Sequence, residues 1–207
     1  MFTGDAGRAQ FHQISHDGDR GLHCALYVRD ALGLHTLTDQ PYQIPHLDPP
    51  VPLLQAVDHG AKAAAAEAWP RWWSAEVAAE EPFRHIREEV IGRAWQAGTE
   101  LARMVLGFYD DAEQWMNQAK HERMFERRAT QGHEPAEIAL AQQIVRELER
   151  RADRQANLFH LRIVLIQVEE PWFRQVAEDR VIASRKLVAT NPQGYQDQLR
   201  PVIDRLF

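Results

Sequence analysis

Residues 135–168 read PAEIALAQQIVRELERRADRQANLFHLRIVLIQV, and the fold turns on how this stretch is read. Pro135 stands where the first turn of a helix tolerates a residue without an N–H, and no proline or glycine follows until Pro171. Ile138, Ala141, Val145, Leu148, Ala152, Ala156, Phe159, Ile163 and Ile166 recur at a mean spacing of about 3.5 residues, the heptad period of a helix packed along a partner. That period predicts one long helix over 136–168, about 50 Å from end to end at 1.5 Å per residue. A competing reading breaks the helix at Asn157 and makes Phe159 to Val168 a buried strand, because β-branched residues and alternation both occur there. The long helix is the expectation adopted.

Outward from this stretch, Pro171 and Pro192 each read as the opening of a helix, the second capped by Asn191. Upstream, Asp110 to Glu113 has the pattern of a capping box and starts a helix running to about Ala129. Ile86, Val90, Ala94, Ala97, Leu101, Met104 and Phe108 step by three or four residues, which predicts another helix ending at Gly107. Leu53 to Trp69, with four consecutive alanines, reads as a helix broken at Pro70, and Arg71 to Glu80 as a short one. Pro41, Pro45, Pro49, Pro50 and Pro52 stiffen the segment before it. Gly21 to Gly33 is either a helix closed by Gly33 or an alternating strand, with the helix preferred. The expectation is a mainly α fold: a bundle of about six helices, one of them heptad-patterned, behind an irregular His/Pro-rich N-terminal segment. The division falls at 1–52 and 53–207.

The chain has 207 residues, enough for one ordinary core, and a net charge of −6 opposes generic polyanion binding. Cys24 is the single cysteine, so no intrachain disulfide can form. Met1 to Asp5 lacks the basic and apolar regions of a secretory signal, and Ile163 to Ile166 falls far short of the roughly 20 residues of a membrane span. A cytoplasmic location is expected, and the arginine-rich, lysine-poor composition points to a GC-rich bacterial source.

Six of the ten histidines lie in the first sixty residues. His12 and His16 have the four-residue spacing that places two imidazoles on one helix face, as in the zincin motif, but Gln13 stands where that motif needs a carboxylate base. Together with Asp17, His46 and Asp48 they are the candidate ligands of a divalent transition metal, whose bound water would serve a hydrolase as nucleophile. The adjacent pair His16-Asp17 resembles that of the HD-domain phosphohydrolases, which are all-helical and hold metal with such a pair; the likeness covers two residues. The end of the chain, with Asn191-Pro192, Tyr195, Leu199 and Leu206, resembles a single tetratricopeptide-like unit.

Arg146, Arg150, Arg151 and Arg154 form a basic stripe able to grip phosphates, interleaved with Glu147, Glu149 and Asp153, which predicts ion pairing on a solvated face. Trp69, Arg71, Trp72 and Trp73 form a cluster of the residue types that dominate interfaces, and packing in the core is an equal reading of the three indoles. The chain has no phosphate-binding glycine loop, dinucleotide fingerprint, nucleophile elbow or Cys-x-x-Cys pair, so no catalytic activity or cofactor is assigned. The leading expectation is a protein-interaction or regulatory module that self-associates through helix 136–168, with a protein partner at Trp69–Trp73. A metal-dependent hydrolase is the alternative, and nucleic-acid binding through the arginine stripe comes third.

Overall fold

The structure, a computed structural model, describes residues 20–34, 43–54, 57–79, 87–119, 135–156 and 159–207 in full, with the backbone alone at 12–16, 86 and 120–129. Along the described chain run β1 (His12–His16), α1 (Arg20–Leu32), α2 (His59–Ala78), α3 (Ile86–Ala97), α4 (Thr99–Ala129), α5 (Ala136–Ala152), β2 (His160–Ile166), β3 (Phe173–Ala177), β4 (Arg180–Ser184), α6 (Arg185–Thr190) and α7 (Pro192–Leu206). The protein is mainly helical, as expected, but it carries a small mixed sheet that the adopted expectation lacked, one strand of which, β2, is the competing strand reading of Phe159 to Val168. β2 and β4 are parallel, β3 returns antiparallel beside β4, and β1 joins the other edge of β2 in parallel, giving the order β1-β2-β4-β3.

Helix 136–168 is therefore two elements. α5 stops at Ala152, where Asp153 takes a left-handed conformation (φ 50°) and returns its N–H to the Glu149 carbonyl. Of the residues that continued the helical period, Ile163 and Ile166 belong to β2, where Leu161, Ile163 and Leu165 face one core and Val164 and Ile166 the other. Because helices cover both faces of this strand, Leu161 to Ile166 are all buried, and a continuous apolar run carries no period that separates strand from helix. α1 to α4 form the layer against Val164, Ile166 and Ile182, while α5, α6 and α7 close over Leu161, Ile163, Leu165, Val181 and Ala183.

Gly33 closes α1 with φ 59°, the left-handed cap read from the sequence. α2 begins later than expected, where Asp58 accepts from the Ala61 N–H, and continues through Pro70. One helical hydrogen bond is forgone at the proline; Trp69, Trp72 and Trp73, all fully buried, hold the helix together across it by packing. The break expected at Gly107 lies instead at Gly98. A Cβ on Gly98 would sit 2.9 Å from the Ala68 Cβ, so the corner between α3 and α4 approaches α2 as closely as glycine permits. Gly107 is in open space inside α4, and Asp110 pairs with Arg87 rather than capping a helix. Pro171 leads into β3 instead of a helix, whereas Asn191 caps α7 by accepting from the Gly194 N–H, as predicted. No described helix is long and apolar enough to cross a membrane.

Candidate functional sites

The arginine stripe lies on the last turns of α5. Arg146, Arg150 and Arg154, each four residues from the next, line an open groove of about 510 Å³ together with Glu149, Asp153 and Gln155. Of the pairing expected of the interleaved carboxylates, the described residues show an interhelical pair and none within α5. Glu147 turns to α7, where it accepts from Arg200 at 2.6 Å and from Gln143 at 3.3 Å; these hydrogen bonds hold its carboxyl below the ordinary glutamate value. Glu149 accepts from the Ala156 N–H and so tethers the chain leaving the helix. Arg154 stacks over the Phe207 ring at 4.4 Å and donates to the Phe207 carbonyl. Arg150 spends one of its five donors on the Arg146 carbonyl. Among the described residues, no carboxylate comes within ion-pair distance of Arg146, Arg150 or Arg151.

The candidate metal residues fall differently. His12 and His16 are the two ends of a strand, so their Cα atoms lie about 13 Å apart, against about 6 Å for the same spacing on the helix first expected. Asp17 lies outside the described residues. His46 and Asp48 flank Leu47, whose segment runs antiparallel to the chain leaving β2: Asp48 N–H donates to Gln167, and Glu169 N–H to the His46 carbonyl. Among the described residues, no group of three His, Cys, Asp or Glu side chains is placed to hold a metal ion.

Two residues that the sequence reading did not assign fix this loop. Arg29 and Asp30, on α1, form an ion pair at 2.7 Å with side chains only 1% and 5% exposed. Arg29 also donates to the carbonyls of Ile44 and Pro45; Asp30 accepts from the Leu47 N–H at 2.7 Å and faces His46 Nδ1 at 3.2 Å. The signal was a charged pair inside the otherwise apolar run Ala25 to Leu32, where a buried charge needs partners. His23, on the same helix, accepts the Gln167 N–H at its Nε2, which puts the proton of the neutral ring on Nδ1.

The tryptophan cluster is core. Trp69 donates to the Ala25 carbonyl and stacks on Trp73 with ring centroids 5.6 Å apart, and Trp72 donates to Glu76. Arg71 is exposed and donates to the Ala97 carbonyl. Of the two readings of the indoles, core and partner surface, the structure shows the core, and the buried β2 occupies the far half of the expected self-association helix. Compared with known protein families, curated proteins and solved structures, the chain matches none of them.

Proposed function

We propose that the chain binds nucleic acid through the arginine face of α5. The observation that carries the reading is the set Arg146, Arg150 and Arg151, left without carboxylate partners while Glu147 and Glu149 are engaged elsewhere. Four residues of helix advance about 6 Å, so Arg146 and Arg150 present guanidinium-bearing positions at about the spacing of successive phosphates of one strand, with Arg154 just beyond the end of α5 on the same groove. The net charge of −6 opposes approach at low salt only, since at physiological ionic strength its field is screened beyond about 8 Å and the local arginines dominate. A groove with mixed lining and no aromatic platform reads phosphate rather than base. Anisotropy of labelled single-stranded DNA and RNA across a salt series tests it. Three neutralised phosphates give a log–log slope of about −2, and the triple change of Arg146, Arg150 and Arg151 to Gln removes most of it. Equal binding by that variant, or none by the parent chain at low salt, overturns the reading.

A second reading, self-association, is favoured by the outward face of the α3–α4 hairpin. Trp95 and Leu106 are about half exposed there, and Gly92 and Gly107 have open space around them. The Arg87–Asp110 pair ties the two helices of the hairpin together. Light scattering of the parent chain and of Trp95→Glu over a concentration series decides it: a monomer throughout removes the reading.

A further inference from the structure

We infer that Pro49 to Leu54 is a docking ledge for a partner protein domain that receives a polyproline II helix in an aromatic-lined groove. The run reads Pro49-Pro50-Val51-Pro52-Leu53-Leu54. Each proline holds φ near −65°, and Pro49 and Val51, each followed by a proline, are kept out of the α region, so the run is confined to the extended polyproline form. Residues 50–54 are accordingly neither helix nor strand nor turn. At three residues per turn and about 3.1 Å per residue, side chains three apart share an edge, about 9 Å from one to the next. Pro49 and Pro52 share one edge, Pro50 and Leu53 the second, Val51 and Leu54 the third.

The fold turns the third edge inward. Val51 packs against the core that α1 to α4 form with the sheet, and Leu54 N–H donates to the Ala31 carbonyl of α1 at 2.8 Å. At the other end, Trp115 of α4 donates its Nε1–H to the Pro49 carbonyl at 3.1 Å. The remaining edges are left to solvent. Pro49, Pro50 and Pro52 are exposed, and Leu53, at 64%, is the most exposed large hydrophobic side chain among the described residues. Among the described residues nothing donates to the carbonyls of Pro50 and Pro52, which stay open to the indole and phenol donors of an aromatic groove. Because anchors on α1 and α4 already hold the run, docking costs little ordering entropy. The ends of the ledge carry opposite charge. Asp48 is exposed at its start, and Lys62 Nζ lies with Leu53 Cδ2 beside Gly33, 3.5 and 3.2 Å from where a Cβ there would sit. Among the described residues neither the Asp48 carboxylate nor the Lys62 ammonium has a partner. A groove with a cation at one end and a carboxylate at the other is complementary to both, and this fixes the direction in which the ledge is received.

The probes are three purified readers of proline helices: a WW domain, a profilin and a proline-binding Src-homology domain. Each is isotope-labelled and titrated with the full unlabelled chain, and saturable resonance shifts in the aromatic groove of at least one are expected. Pro50→Ala, Pro52→Ala and Leu53→Ser each weaken that binding about tenfold. Pro201→Ala, at an exposed proline on α7, leaves it unchanged. The altered side chains are on the surface, and an unchanged far-ultraviolet dichroism spectrum shows that each variant is folded. No groove shifts with any of the three domains, or undiminished binding by the three ledge variants, overturns the inference. So does a second copy seated on the ledge, which appears as self-association of the parent chain that Leu53→Ser abolishes while the probe grooves stay unshifted. Changing Arg146, Arg150 and Arg151 to Gln leaves the titration as it is, so this result and nucleic-acid binding can each fail without the other.

Discussion

Arg93 of α3 reaches into the core to donate to Glu76 of α2 at 2.7 Å, across from the Trp72 indole that holds the other carboxylate oxygen at the same distance. Glu76 is wholly buried, so its charge needs partners such as these. Arg93→Ala is expected to cost about 3–5 kcal/mol, because it takes the opposite charge away from a buried carboxylate. Arg93→Met with Glu76→Met removes both charges and is expected to cost markedly less. Urea unfolding of the two variants distinguishes these outcomes, and a double variant no more stable than the single would refute the assignment.

Gly98 and Gly92 make a matched pair. A methyl on Gly98 meets Ala68 at 2.9 Å, so Gly98→Ala is expected to destabilise by about 1–3 kcal/mol as α2 and the α3–α4 corner separate. Gly92 lies inside α3 with nothing within 4 Å, so Gly92→Ala is expected to stabilise by about 0.5–1 kcal/mol. Thermal unfolding shifts of opposite sign are the expected result; the same sign for both would contradict the packing described.

Cys24 is fully buried, and burial above all, with Glu76 nearby, raises its thiol far above the ordinary 9.0. It should stay unmodified by a thiol reagent near neutral pH while the chain is folded and react fully in denaturant. Rapid labelling of the folded protein would show that α1 is not packed as described.

Stability should fall in alkali. Burial foremost, then Cys24 and Glu113, raises Tyr109 from 10.0 to about 12 against the opposing pull of Arg20 and Arg87, and burial raises Tyr195 further. Each group stays protonated in the folded chain at a pH where the unfolded chain has begun to lose its proton. The unfolded state then binds fewer protons, so the contribution is complete below about pH 9 and declines as pH rises toward 12. Urea midpoints measured across that window test this, and a level midpoint would contradict it.

Local chemistry made part of this fold legible. Gly33 and the Asn191-Pro192 cap were readable because a left-handed residue and an accepting side chain act within a few residues of their own position. β2 was legible only as the competing strand reading of Phe159 to Val168, because its burial comes from helices that lie far away in sequence, and a run buried on both faces has no period that decides strand against helix. Gly98 outweighed Gly107 as the helix break for a similar reason: only the approach of Ala68 distinguishes them. At the candidate sites, His46, Asp48 and the arginines were visible as residue types. Asp30 was not singled out, since its value lies in a loop that begins more than a dozen residues downstream. Nor could the sequence show that Glu147 would turn from its neighbouring arginines to Arg200.

The pairing of His12 with His160 also imposes an order of events during synthesis. At about 5–20 residues per second, about seven to thirty seconds separate the two strands at the ribosome. For that interval β1 has no partner, while α1 to α4 can already collapse around the three indoles. The sheet thus cannot be completed until β2 has emerged, and the strand that joins its edge is the earliest of the described strands.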